Sequence, residues 1–196
     1  MLSDKTRMNA AAAILILLAV LISCKSASDY SPFGPPDETQ KAGETITSAN
    51  EDLQKIKVLY EENESMRREL KQALETNNAE QVRDVSERVI KLIADGTVMA
   101  KRALAKIDEA LDMNINETYR EYLDLKKQSL KRQLEAFENY RIAAESLKTN
   151  YDPQSEEKRS KVTAEFKDRT EKYTAEMERA RSLSYQANEI WQENTE

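Results

Sequence analysis

The chain has 196 residues, 34% of them charged, with 30 Lys and Arg against 36 Asp and Glu for a formal net charge of −6. That acidic balance argues against nucleic acid as a partner. Histidine is absent and only 3 Gly and 4 Pro occur. The first removes the usual general base, the usual imidazole metal ligand, the Glu-x-x-His iron motif and a proximal haem ligand; the second favours long, solvent-facing helices.

The N-terminus reads as a processing signal. Lys5 and Arg7 make a short basic start, and Ala10 to Ile22 form an unbroken apolar run that stops at Ser23. The run is shorter than the roughly 20 apolar residues that a membrane-crossing helix needs. The single cysteine, Cys24, follows at once. Leu21-Ile22-Ser23-Cys24 resembles the lipobox of bacterial lipoproteins, a resemblance confined to the first 24 residues. It implies cleavage between Ser23 and Cys24, diacylglyceryl transfer to the thiol, and acylation (palmitate or similar) of the new amino terminus. Several acyl chains on one residue give lasting membrane attachment, since each buried methylene contributes about 0.8 kcal/mol and one chain holds only marginally. Residues 1–23 are thus expected to be the signal peptide, and residues 24–36 the lipidated cysteine and a flexible tether. "KSASDYSPFGPP" is rich in Ser, Gly and Pro, and its Tyr30 and Phe33 read as incidental. An accidental cysteine in an ordinary secretory signal is the alternative.

Residues 37–196 then read as helical. Asp37 with Gln40 suggests a capping box, followed by a seam through Ile46, Ala49, Leu53, Ile56, Leu59, Met66, Leu70 and Leu74. Thr76-Asn77-Asn78 supplies a turn. A second seam runs through Val82, Val85, Val89, Leu92, Met99, Ala103, Ile107 and Leu111. It stays in phase across Gly96, so one continuous helix is predicted, with the glycine admitting a close neighbour; a kink or small cavity is the alternative. Asn114, with Glu117 three residues on, is the predicted cap of a third helix carrying Tyr119, Leu123, Leu130, Leu134, Phe137, Tyr140, Ala144 and Leu147. Asn150-Tyr151-Asp152-Pro153 turns the chain, with Asp152 as the expected cap and Pro153 as the first residue of a fourth helix. Its inward set is Val162, Phe166, Tyr173, Met177, Ala180, Ala187 and Trp191.

Four helices of similar length joined by short turns predict an elongated, all-α, up-down-up-down four-helix bundle with coiled-coil-like packing. A three-helix bundle with a detached first helix and a dimerising coiled coil are the competing architectures. Topology assigns Met113, Ile115, Ile190 and Trp191 to the membrane side and Asn77, Asn78, Asn150 and Tyr151 to the distal tip. Asn77, Asn150, Tyr151 and Trp191 are the candidate binding residues. Changing the three tip residues together is expected to leave melting nearly unchanged, and the core is expected to be dry.

Other charged features read as solvated surface. Lys126, Lys127, Lys131 and Arg132 form a basic patch with acidic neighbours such as Asp124 and Glu135 within helical reach. Glu61, Glu62 and Glu64 lack the spacing of a calcium loop, and the Asn-x-Ser/Thr matches at Asn63 and Asn116 carry no weight in a bacterium. No metal site, cofactor, nucleophile or acid–base pair stands out. The sequence therefore implies a non-enzymatic lipoprotein of the bacterial envelope, facing the periplasm or exterior. It would be a monomeric scaffold or interaction module that meets an envelope protein or cell-wall component. The second reading is a lipid-anchored module that binds a small ligand, a metal, or a cell-wall or host component.

Overall fold

A computed structural model describes residues 37–193; the signal segment, the tether, Ser23 and Cys24 lie outside them. The described chain is a four-helix up-down bundle: α1 (Thr39–Glu75), α2 (Ala79–Leu111), α3 (Glu117–Asn150) and α4 (Glu156–Glu193). Each helix packs against its neighbour in sequence, most extensively α3 on α4, then α1 on α2, then α2 on α3. Helix α1 is therefore docked along α2, not detached. It also reaches α4 through long side chains, with Arg181 donating to the Tyr60 hydroxyl at 3.2 Å.

Turn chemistry sets the helix ends, and three ends differ from the sequence expectation. Asp37 does not form a capping box with Gln40. Its carboxylate instead accepts from the Thr39 amide at 2.8 Å and the Thr39 hydroxyl at 2.6 Å, while the Glu38 amide donates to the Asn114 carbonyl at 2.8 Å. The cap of α3 falls two residues beyond Asn114, on Asn116, whose side chain accepts from the Tyr119 amide at 2.8 Å and whose own amide donates to the Thr39 hydroxyl at 3.0 Å. At the last turn, Asp152 accepts from the Gln154 amide at 3.0 Å and so closes a tight turn in place of capping a helix. Ser155 takes the cap through the Lys158 amide at 3.4 Å, and α4 starts after it, three residues beyond Pro153.

The α1–α2 turn falls where expected. Asn77 takes a left-handed conformation with φ of 53°, which asparagine tolerates better than most residues. The Asn78 amide then donates to the Ala73 carbonyl and the Asn77 amide to the Leu74 carbonyl, satisfying carbonyls that the ending helix leaves open. Asn78 in turn caps α2 through the Gln81 amide at 3.1 Å. At the opposite end, Arg120 donates to the Leu111 and Met113 carbonyls at 2.7 and 3.1 Å, placing a cation on the negative end of α2.

Helix α2 continues through Gly96 unbroken. A Cβ there would meet only the Leu59 Cδ1 at 3.5 Å, an ordinary van der Waals distance, so close approach does not require the glycine.

Candidate functional site

The bundle has two ends, and the tip candidates meet at one of them. Asn77 ends α1 and Tyr151 ends α3, and the Tyr151 hydroxyl donates to the Asn77 side-chain oxygen at 3.2 Å. Tyr151 is only 5% exposed, so it ties the two tip turns together. Simultaneous change of Asn77, Asn150 and Tyr151 is therefore expected to lower melting, contrary to the sequence reading, because it removes a buried ring and the bond that joins the turns.

Asn150 is exposed beside this tie. It lines a groove of about 630 Å³ between the first turns of α2 and α4, floored by Tyr151 and Val162. Two cations on its walls, Arg83 and Lys161, have no carboxylate or hydrogen-bond partner among the described residues. The groove's carboxylates are engaged: Asp152 faces Lys158 at 3.3 Å, and Glu165 accepts from the Ser146 hydroxyl at 2.6 Å. Sequence reasoning found Asn150 and Tyr151 but missed Arg83 and Lys161, which lie 78 positions apart in the chain and meet only through the fold.

Trp191 lies at the other end. It packs on Tyr119 and Tyr122, with centroids 6.1 and 5.4 Å away, and keeps 39% of its surface exposed. Lys126 lies over Tyr122 at 5.4 Å and donates to Asn188 at 2.8 Å; burial pulls its pKa down. Three of the four cations in the basic patch on α3 thus have partners, since Lys127 pairs with Asp108 at 2.6 Å and Arg132 with Glu135 and Glu176 at 2.8 and 3.3 Å, while Lys131 is exposed.

A third cluster lies inside the bundle and sets polar side chains within the core. Asn63 is fully buried, and neither end of its amide has a hydrogen-bond partner among the described residues; the same holds for the hydroxyls of Ser86, Tyr140 and Tyr173. Arg67, one turn along α1 from Asn63, places its guanidinium 4.8 Å from the Tyr173 ring centre and 5.6 Å from that of Tyr140. Its charge is met by Glu64 at 2.7 Å. Burial pushes both phenols well above their ordinary pKa. The hint in the sequence was the seven-residue step from Leu59 to Met66 in the first seam, a gap whose missing inward position is Asn63.

No group of three or more metal-ligating side chains is present among the described residues, and none of the described helices is long and apolar enough to cross a membrane. Comparison of the chain with protein-family models, curated proteins and solved structures finds no match.

Proposed function

We propose that this protein is a lipid-anchored lipoprotein of the bacterial cell envelope, held to a membrane through acyl chains on Cys24 and facing the periplasm or exterior. Its helical bundle acts without catalysis, as a scaffold that presents its distal tip to an envelope protein or cell-wall component. The observation that carries this reading is the only cysteine of the chain closing a hydrophobic run at Leu21-Ile22-Ser23-Cys24. The bundle is consistent with it: residue 37 and the start of α1 lie at the end of the bundle opposite the tip groove. Cys24→Ala is expected to shift the chain out of the membrane fraction or to accumulate it as an uncleaved precursor. Normal processing and membrane fractionation of that variant would defeat the reading.

The second reading, a lipid-anchored binding module, is favoured by one observation. The tip holds a groove with two uncommitted cations over an apolar floor. Scaffold and binding module differ in whether that groove holds a ligand of its own.

A further inference from the structure

We propose that the tip groove is a binding site for a phosphate ester carried on a hydroxyl-rich body, such as a phosphorylated sugar or polyol unit. This deepens the reading of the bundle as a module that presents its tip.

Most charged side chains on this bundle are committed. Among the described residues nine ion pairs involve arginine and nine involve lysine, many of them between residues three or four apart in the chain. Arg83 and Lys161 differ because they come from separate helices, line one cavity and face no carboxylate within pairing distance. Two unpaired cations beside one space suit a dianion better than a lone carboxylate, which would leave one of them uncompensated. A phosphate monoester carries about −1.5 to −2 charges near neutral pH and offers three acceptor oxygens. A guanidinium engages such oxygens in a two-pronged geometry, with the ammonium as a second, point-like contact. The positive end of α2 at Ala79, on the groove wall, acts in the same direction.

Size and lining extend the argument beyond an isolated ion. At about 630 Å³ the groove far exceeds one phosphate and falls in the range of small-molecule sites, roughly 300 to 1,000 Å³. Thr149 and Asn150 on the rim can exchange hydrogen bonds with hydroxyl groups, and Val162 beneath them offers an apolar floor for the carbon skeleton.

Calorimetric titration of the full chain in detergent with sorbitol 6-phosphate tests this, with inorganic phosphate, sorbitol and a triglutamate peptide as comparison probes. Saturable binding of sorbitol 6-phosphate is expected, tighter than inorganic phosphate and absent for sorbitol. Arg83→Gln with Lys161→Gln should weaken it at least tenfold, and Lys91→Gln, an exposed lysine outside the groove, should leave it unchanged. Melting of the double variant should match the wild type, since neither side chain has a partner to lose. Failure to saturate, equal affinity for inorganic phosphate, tighter binding of triglutamate, or undiminished binding by the double variant would each overturn the assignment. Fractionation of Cys24→Ala reports on the anchor separately, because the titration does not depend on where the chain resides.

Discussion

The α3–α4 interface and the inner face of α1 solve the same packing problem with different materials. Between α3 and α4, aromatic rings interlock: Tyr140 lies 5.4 Å from Tyr173 and 6.1 Å from Phe166, and Phe137 lies 6.5 Å from Tyr173. Helix α1 brings mainly Ala42, Ala49, Ala73, Ile46, Ile56 and Leu70, together with the buried amide of Asn63. Large rings bury much area and hold one another in preferred geometries. Small side chains and an unpartnered amide bury less and cost more. The difference teaches that the second half of the bundle supplies most of the rigidity and that α1 is the more easily displaced helix.

The sharpest way to break this comparison is to remove a ring. Phe137→Ala is expected to destabilise the bundle by about 3 to 5 kcal/mol in urea unfolding, as a large-to-small core change. A loss below 1 kcal/mol would show that the aromatic interface is not the main stabilising one.

Alkaline pH probes the same rings. Burial pushes Tyr119 up to about 12 and raises Tyr122, Tyr140 and Tyr173 as well. A phenol whose folded pKa exceeds its unfolded value near 10 stabilises the fold fully below pH 10. That contribution is lost as pH rises from about 10 towards the folded pKa, at about 1.4 kcal/mol per pH unit for each such group. Stability should hold up to pH 10 and fall above it, with these four rings titrating late in ultraviolet difference spectra. Early titration of all tyrosines at unchanged helicity would contradict their burial.

The third test addresses α1 alone. Asn63→Leu replaces a buried, unpartnered amide with an apolar side chain of similar size, and is expected to raise stability by about 1 to 3 kcal/mol. A comparable loss, measured by chemical unfolding, would mean that the amide is well satisfied and that α1 is held more firmly than its side chains suggest. The smallest effect should come from Gly96→Ala. The added Cβ finds only Leu59 at ordinary contact distance, and helix propensity then favours alanine by about 0.8 to 1 kcal/mol. A drop in melting temperature would restore the close-approach role for this glycine.

Much of the architecture was legible because it rests on local signals. The seams in threes and fours, the Thr76-Asn77-Asn78 turn and the in-phase passage through Gly96 each depend on neighbouring residues alone. The caps at Asn116 and Ser155 were misplaced because Asn114 and Asp152 are equally good capping residues. Only the folded contacts decide: the Thr39 hydroxyl holds Asn116, which caps the Tyr119 amide, and the Gln154 amide occupies Asp152. The interior cluster was hidden for a different reason. A polar residue in an apolar seam looks like an interruption, and nothing near Asn63 in sequence announces Tyr140 and Tyr173. The tip groove has the same character, since Arg83 and Lys161 are ordinary helix-surface cations until the turns bring them to one cavity.

The sequential contacts between helices also bear on how the chain acquires its structure. Because α1 packs on α2, α2 on α3 and α3 on α4, few contacts must wait for distant segments, and helical bundles rich in such local contacts fold in microseconds to milliseconds. A chain delivered amino-terminus first releases its helices in the order in which they pair, so the α1–α2 hairpin can close while α4 has yet to emerge. The aromatic pair then assembles last, which leaves the strongest interface to complete the bundle and the tip groove as the final surface to form.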